Sequence, residues 1–368
     1  MTPLQAATHP DPYAYYASLR LNNELVFDAD LGLWIASTAK VVEAVLTRPD
    51  CRVRPLHEPV PAAIASGAAG QVFARLMRMN EGQAHGCPRA VVEPALATVG
   101  AQRIAQVVKQ LGAGMHSLED WMFALPVSVL ASLLGVPGER LSTVAGLTRD
   151  FVACLSPLSS EAQLRKADAG AAQLGQMFSG VLEQTGLLQQ LLSGDWADRE
   201  GLTANLIGLL SQTCEASAGL IGTTLVTLVR RPDLLERIQR VPALVTTLVE
   251  EVARYDSPVQ NTRRFVAGGC TIGNRVLEQG DTVLVLLAAA NRDPEANPEP
   301  DSFVLDRPHR RLFSFGAGKH HCPGQMLALA IASQALLSLL RQPNVWADAS
   351  QCGYWPSLNG RIPQFHRS

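Results

Sequence analysis

The sequence predicts a mainly α-helical fold with a small amount of β-strand. Residues 104–192 keep a helical pattern through several breaks, and residues 203–229 are predicted to form one helix of roughly 40 Å. Strands are predicted at residues 25–27 and 33–36, as a hairpin, and between residues 271 and 287. No linker, charge block or repeat divides the chain of 368 residues, so a single domain is expected.

Composition narrows the class of protein. A hydrophobic content of 47% with 17% charged residues is typical of a globular chain with a large core. The net charge of −2 gives no reason to expect a nucleic-acid partner. The seven cysteines show no disulfide-like spacing, which favours a reducing cytoplasm. Residues 1–20 lack an apolar run, so no signal peptide or membrane anchor is expected.

The clearest chemical signal is a cysteine between glycines near the C-terminal end. Phe315, Gly318, Cys322 and Gly324 form an F-x-x-G-x-x-x-C-x-G pattern, and an apolar helical run follows from Met326 to Leu340. Glycines on both sides let the backbone approach a bulky planar ligand and turn its amides toward the sulfur. A thiolate held in this way is a strong axial donor to haem iron.

The loop has two other possible interpretations. The cysteine could be a buried structural residue beside a helix cap. A zinc site formed by His320, His321 and Cys322 is disfavoured, because three adjacent residues cannot readily face one ion. The loop resembles the cysteine loop of the cytochromes P450, and nearly the whole chain resembles soluble bacterial members of that family. The resemblance implies a single mostly α domain with about a dozen helices and a small mixed sheet. It also implies haem b, with the Cys322 thiolate as the ligand of its iron.

The resemblance also suggests which side chains hold the haem. His85 and Arg89 match an H-x-x-x-R pair that clamps one propionate, and their spacing places them on one helical face. Their helix is predicted from about Val91 to Val99 with Pro88 in its first turn, after an irregular stretch at 51–80. The residues assigned to the cofactor are His85, Arg89, Arg264 (with Arg263 as the alternative), Phe315, Gly316, His320, Cys322 and Gly324.

The long helix at 203–229 departs from the family pattern [AG]-G-x-[DE]-T-[TS]. The favoured register keeps the acid as Glu215 but places Ala216 where the family has threonine, followed by Ser217. A second register, on 218–219 and 223–224, has threonines but no acid. In the favoured register the hydroxyl that steadies O₂ in relatives is absent, and Ser217 points about 100° away around the helix. Glu215, Ala216 and Ser217 are therefore the candidate catalytic positions.

An E-x-x-R motif formed by Glu251 and Arg254 predicts a buried ion pair behind the cysteine loop. The position that often supplies a second arginine holds Ser302, and Arg307 is a possible substitute. The segment before the cysteine is basic. Its basic residues are Arg307, His309, Arg310, Arg311 and Lys319. They are interpreted either as a docking face for an acidic electron donor or as a solvated loop.

The resemblance implies an O₂-dependent monooxygenase that oxidises a small organic substrate. A role in secondary metabolism is expected because it is common in the family. Its electrons would come from a ferredoxin and its reductase, and it would be a cytoplasmic monomer without membrane or nucleic-acid contacts. Two alternatives stay open. One is a haem-thiolate enzyme that uses peroxide, or that catalyses coupling or rearrangement, which the missing threonine favours. The other is a haem-binding sensor without catalytic activity.

Overall fold

The structure is a computed structural model, which describes residues 1–21, 25–181, 187–194, 196–342, 349 and 352–365. Of the described residues, 57% are helical, in 14 α-helices with small sheets, so the predicted mainly α class is confirmed. The chain divides into two units. The first is Met1–His57, Gly222–Cys322 and Asp348–Ser368, and the second is Glu58–Ile221 and Pro323–Ala347. The single domain expected from the sequence stays a prediction.

The helices begin and end as follows. They are α1 Tyr13–Arg20, α2 Ala39–Thr47, α3 Ala68–Arg75, α4 Gln83–Ala97, α5 Ala101–Gly112, α6 Leu125–Leu133, α7 Leu141–Val152, α8 Glu161–Val181, α9 Leu187–Leu192, α10 Arg199–Arg230, α11 Pro232–Arg240, α12 Val245–Tyr255, α13 Leu287–Asn291 and α14 Gln325–Leu339. The strands are β1 Val26–Asp28, β2 Leu33–Ala36, β3 Cys51–Arg52, β4 Thr262–Val266, β5 Cys270–Ile272, β6 Arg275–Leu277, β7 Thr282–Val285, β8 Cys352–Tyr354 and β9 Pro363–Phe365.

All nine strands belong to the first unit. Five of them form a mixed sheet in the order β1-β2-β7-β4-β3, in which β2 and β7 are parallel and the other pairs are antiparallel. The predicted N-terminal hairpin is therefore confirmed as β1 and β2. Of the strands predicted between residues 271 and 287, β5 and β6 pair in a separate two-stranded sheet, and only β7 joins the larger sheet. Alternate side chains of β2 and β7 pack into two apolar clusters of this unit.

The start of helix α2 is fixed by two side-chain acceptors. Thr38 is the N-cap, and its side-chain oxygen accepts a hydrogen bond from the Val41 N–H at 3.4 Å. Asp293 adds a second acceptor, since its Oδ2 lies 2.7 Å from the Ala39 nitrogen. Two of the N–H groups that an α-helix leaves unsatisfied at its start are thus occupied. The cap fixes the helix that later supports the cysteine loop.

Helix α3 in the second unit was missed, because residues 51–80 were expected to be irregular throughout. Glycines made the stretch resemble a loop, but Gly70 has a packing role inside the helix. A Cβ at this position would lie 2.1 Å from the carbonyl oxygen of Ile64. Asp168 on α8 accepts a hydrogen bond from the Ala69 N–H at 3.0 Å, in the first turn of α3. A distant residue therefore stabilises the start of a helix that local preference does not reveal.

Helix α4 begins at Gln83, earlier than predicted, and contains both Pro88 and Pro94. Proline cannot donate to the carbonyl four residues before it, which is why a start at Pro88 was expected. Here those carbonyls belong to Ala84 and Ala90, and both residues are exposed. Water can therefore replace the missing donors, and the helix continues through both prolines. The correction places the whole H-x-x-x-R pair inside α4.

One helical stretch in the described part of the chain, Gly318–Leu339, is long and apolar enough to cross a membrane by length and composition. Within this stretch, 44% of the 18-residue segment that meets the hydropathy criterion is buried inside the protein. A core helix of a globular protein passes the same test. The part of the stretch in α14 packs against α4, α5 and α6 within the second unit, as a core helix does.

Candidate functional site

The cysteine loop of the first unit is closed by backbone hydrogen bonds. The Cys322 N–H donates to the Phe315 carbonyl oxygen at 2.9 Å, and the His321 N–H donates to the Gly318 carbonyl oxygen at 3.0 Å. Gly316 and Gly318 have φ values of +72° and +66°, in the left-handed region that favours glycine. The half-buried Cys322 therefore sits at the end of a turn whose shape depends on these two glycines.

Gly318 also needs its lack of a side chain for packing. A Cβ at this position would lie 3.1 Å from Thr47 Cγ2 and 3.2 Å from the Leu46 carbonyl oxygen, both at the end of α2. We expect Gly318→Ala to lower the free energy of unfolding by about 1–3 kcal/mol, because the left-handed conformation and this crowding both oppose a Cβ. Denaturant unfolding measures the change. Gly268→Ala is the control, since Gly268 has open space around it; equal losses for the two variants would contradict the packing argument.

Asparagine side chains hold the chain that leads into the loop. Asn291 Oδ1 accepts from the Phe313 N–H at 2.6 Å, and its Nδ2 donates to Ser314 Oγ at 2.8 Å. Asn297 accepts from the Arg311 N–H at 3.0 Å and donates to the Arg311 carbonyl oxygen at 3.1 Å. Both asparagines are fully buried. A buried network that is satisfied in this way fixes the approach to the cysteine before any ligand binds.

The predicted E-x-x-R pair is confirmed as a buried ion pair, with 2.7 Å between Arg254 Nη2 and Glu251 Oε1. The possible substitute is also present, because Arg307 Nε lies 3.2 Å from the same oxygen. Sequence reasoning missed a third cation: Arg310 Nε lies 2.9 Å from Glu251 Oε2. Ser302 takes part through its backbone, and its carbonyl oxygen accepts from the first two arginines at 3.0 and 2.7 Å.

The charge of Glu251 is well compensated despite its burial. Burial alone would raise the pKa of this carboxyl group. Hydrogen bonds from Arg254 and Arg310, together with the charge of Arg254, instead hold the pKa below its usual value. Glu251 is therefore ionised at neutral pH and acts as the common anchor of three buried guanidinium groups.

The proposed docking face before the cysteine is wrong for two of its members. Arg307 and Arg310 are buried by their bonds to Glu251 and do not present charge to a partner. Arg311 is half-exposed and pairs with Glu43 of α2 at 2.9 Å. Two of the five cations in this segment therefore belong to an internal ion network.

The first unit also carries two of the predicted propionate contacts. Arg264 is buried on β4, whereas its neighbour Arg263 is half-buried, which favours Arg264 of the two alternatives. Arg264 Nη1 donates to the Arg263 carbonyl oxygen at 2.8 Å. His320 ends a 3-10 turn at Gly318–His320, two residues before Cys322. The haem contacts of both stay predictions.

The second unit carries the other two residues that are predicted to contact the propionates. His85 and Arg89 both lie on α4, and His85 is buried. Arg89 makes a two-point contact with Glu93 one turn later, at 3.1 Å from Nε to Oε2 and from Nη2 to Oε1. An arginine has enough N–H donors to keep this contact and to bind a further acceptor.

The long helix α10 carries the three candidate catalytic positions. Ser217 is 3% exposed, Ala216 is half-buried and Glu215 is exposed. Even so, burial raises the pKa of Glu215, although the charges of Arg78 and Arg149 act in the opposite direction. The Glu215 side chain is thus accessible, although nearby protein atoms weaken the hydration of its charged form. Such a carboxyl group is suited to hold and pass on a proton.

The raised pKa of Glu215 gives a stability prediction with a definite sign. The folded chain binds this proton more tightly than the unfolded chain, so stability falls as pH rises from the unfolded value through the folded one. We expect Glu215→Gln to remove this fall. The stability of the variant relative to wild type should therefore be higher at neutral pH than at pH 4. Thermal unfolding across pH measures the difference, with Glu161→Gln at an exposed position of α8 as the control. An identical pH profile in wild type and Glu215→Gln would contradict it.

The residues in each unit fit the group that the resemblance implies. The first unit contains the half-buried Cys322, on its glycine turn, and the buried Arg264, on β4. Thiolate and guanidinium are the donors that haem iron and a propionate require. The second unit supplies a buried histidine and an arginine one turn apart, with an accessible carboxyl group on α10.

Comparison with known proteins then decides the family. The sequence model described as "Cytochrome P450" matches residues 200–348. The solved structure of CalO2 superposes with a TM-score of 0.86 at 25% identity, over 99% of this chain and 97% of that one. The chain belongs to the cytochrome P450 family. The recognition made from the cysteine loop is thus confirmed.

Curated cytochromes P450 show the same likeness over part of their length. The biotin biosynthesis cytochrome P450 of Bacillus subtilis is 30% identical, over 62% of this chain and 60% of that protein. The vitamin D(3) 25-hydroxylase of Pseudonocardia autotrophica is 33% identical, over 61% of this chain and 59% of that protein. The matches thus span about three fifths of the length of these cytochromes P450.

Proposed function

We propose that this cytochrome P450 is a haem-thiolate monooxygenase that acts on a small organic substrate with O₂ and electrons from a ferredoxin-type donor. The observation that carries the proposal is the closed glycine loop that ends at Cys322. The hydroxylase among its relatives supports the reaction type. A role in secondary metabolism, a cytoplasmic location and a monomeric state belong to the same proposal; gel filtration of the purified protein at micromolar concentration tests the last.

The chain's own residues would divide the work of holding haem b. Cys322 supplies the thiolate, while Phe315, Gly316 and Gly324 leave room for the ring and shape the loop. The four residues assigned to the propionates are His85, Arg89, Arg264 and His320. When bound, the haem supplies the activation of O₂ for insertion of one oxygen atom into the substrate. The protein supplies the position, the proton and the exclusion of water.

The propionate contacts predict a loss of haem affinity without a loss of fold. Each charge-assisted hydrogen bond contributes about 1.5–3 kcal/mol. We therefore expect Arg89→Ala and Arg264→Ala each to release haem at least about tenfold faster to an excess of apomyoglobin, with little change in circular dichroism. Arg103→Ala, at an exposed position of α5, is the control. Release rates equal to wild type in both variants would remove the assignment.

Proton delivery is proposed to depend on Glu215. Ala216 has no hydrogen-bonding side chain, and Ser217 is buried on another face of α10. Glu215 is the accessible group of the three, and burial raises the pKa of its carboxyl group, which favours the protonated form more than water does. A water molecule or a hydroxyl group of the substrate would complete the relay. If the substrate supplies that hydroxyl, Ala216→Thr should slow turnover by displacing it; better coupling of electrons to product would contradict this.

The alanine at position 216 also favours a second candidate function, in which peroxide replaces O₂ and the electron donor, or the outcome is coupling or rearrangement. Turnover of a candidate substrate with ferredoxin, its reductase and NADPH, compared with hydrogen peroxide alone, separates the two. The monooxygenase proposal requires donor-driven product that disappears without O₂. Product with peroxide only would favour the second function, and spectral binding without product under either condition would favour a sensor.

A further inference from the structure

Two buried cysteines of the first unit belong to the same apolar cluster. Cys51 is 3% exposed on β3, the edge strand of the larger sheet, and Cys270 is 7% exposed on β5. Cys51 lies opposite Val266 of β4, and opposite residues of an antiparallel pair point to the same face. Helix α2 packs against both β3 and β5. The cluster beneath this helix therefore contains both thiol groups together with Val266.

The backbone brings the two cysteines together. The Ala267 N–H donates to the Asp50 carbonyl oxygen at 2.8 Å. Asp50 directly precedes Cys51, and Ala267 lies three residues before Cys270. The chain bends at residues 267 and 268 and then enters β5, and a hydrogen bond joins the two cysteine side chains. Both are free thiols, and a disulfide bond requires cysteines whose backbones are already close, as these are.

The folded state protects the pair from rapid reaction. Burial and the neighbouring Cys270 raise the pKa of the Cys51 thiol to about 12. Little of this group is therefore a thiolate at neutral pH, and the thiolate is the form that attacks a disulfide. Oxidation of the pair thus requires a local opening of the structure.

The β5–β6 hairpin is the element that can open. Its strands have three residues each, and they form a sheet that is separate from the larger one. Val276 on β6 is 69% exposed, and a Cβ at Gly268, in the connection to β4, would meet no atom within 4 Å. A two-stranded hairpin is marginally stable by itself and opens more readily than the rest of a fold. Its opening would expose Cys270 while the larger sheet stays intact.

We propose that Cys51 and Cys270 form a disulfide bond in the presence of a disulfide oxidant such as oxidised glutathione, and that this bond fastens the β5–β6 hairpin to the edge of the larger sheet. The fastened edge adjoins β4, the strand that carries Arg264. In a reducing cytoplasm the pair stays as two thiols.

The reaction is a thiol–disulfide exchange in two steps. In the opened hairpin, the Cys270 thiolate attacks one sulfur of oxidised glutathione, and one glutathione leaves as its thiol. Cys51 then attacks the sulfur of Cys270 and displaces the second glutathione. The two cysteines lose two protons and two electrons, which the two glutathione molecules gain. Closure of the hairpin buries the new bond and protects it from reductants.

Oxidation of the haem-loaded protein with oxidised glutathione tests the proposal. The protein is incubated at mildly alkaline pH, with and without urea below the unfolding transition, and is then alkylated, digested without reductant and analysed by mass spectrometry. The peptides of Cys51 and Cys270 should form the main disulfide-linked product, and urea should speed its appearance. Oxidation should also raise the midpoint of denaturant unfolding in wild type but not in Cys270→Ala.

The protein contains matched controls. Cys154 and Cys214 are buried in the second unit, and burial raises the pKa of each thiol to about 12. They should stay reduced under the same conditions, because burial alone does not create a pair. Cys87 is exposed and reports that the oxidant is active.

Two results would overturn the proposal, and both are read on the wild type. Cys51 and Cys270 that can still be alkylated after Cys87 has reacted fully, in urea as well, would show that the two do not pair. Linkage of either one to Cys154 or Cys214 as often as to each other would show non-specific oxidation. The haem takes no part in the exchange, so the ferrous–CO spectrum reports on the proposed function separately.

Discussion

Glu251→Gln should destabilise the folded chain by about 3–5 kcal/mol, a large share of the total stability of a domain. Glutamine keeps the shape of the side chain but removes the negative charge. The guanidinium groups of Arg254, Arg307 and Arg310 would then lie buried together, each repelling the others. Denaturant unfolding followed by circular dichroism gives the free energy, and the loss should appear without haem as well as with it.

The neighbouring glutamate is a matched control. Glu250 contacts Arg310 Nη1 at 2.8 Å, but its side chain is partly exposed. Glu250→Gln should therefore cost less than about 1 kcal/mol, as partly solvated ion pairs do. A loss from Glu251→Gln no larger than this would show that the three arginines do not depend on one carboxylate.

Cys322→Ala should abolish donor-driven turnover, since it removes the proposed iron ligand. The reduction should exceed the roughly 10–100-fold effect of losing a supporting group around a metal. The fold should persist, because Cys322 is only half-buried and alanine leaves its N–H bond to Phe315 in place. Product formation per enzyme, together with thermal unfolding, separates the two effects.

Cys352→Ala serves as the control for thiol chemistry in general. Cys352 is also half-buried, on β8, and has no role in the proposed site. Its variant should turn over at the wild-type rate. Turnover that survives in Cys322→Ala, or that is lost equally in both variants, would contradict the assignment of the ligand.

Local sequence was enough to predict features whose causes are local. The hairpin of β1 and β2 and the pairing of Glu251 with Arg254 follow from neighbouring residues, and the structure confirms them. A long helix was also predicted correctly, although α10 begins at Arg199 and not at residue 203. Helix α3 was not predicted, because Asp168, far along the chain, stabilises its first turn. Short segments of weak preference depend on such distant contacts.

The basic segment before the cysteine was also misinterpreted because its contacts are long-range. Five cations close together favour a solvated surface when only the sequence is read. Arg307 and Arg310 are buried because Glu251, more than fifty residues earlier, accepts hydrogen bonds from both. Long-range pairing of charge cannot be read from the spacing of one segment.

The ferrous–CO absorption spectrum of the purified wild-type protein tests the central claim most directly. Only a thiolate opposite the CO gives the red-shifted Soret band for which the family is named. The account predicts that band in the wild type and its loss in Cys322→Ala, with the spectrum of Cys352→Ala unchanged. A wild-type spectrum of the histidine-ligated type, or no haem in a fully folded protein, would contradict it.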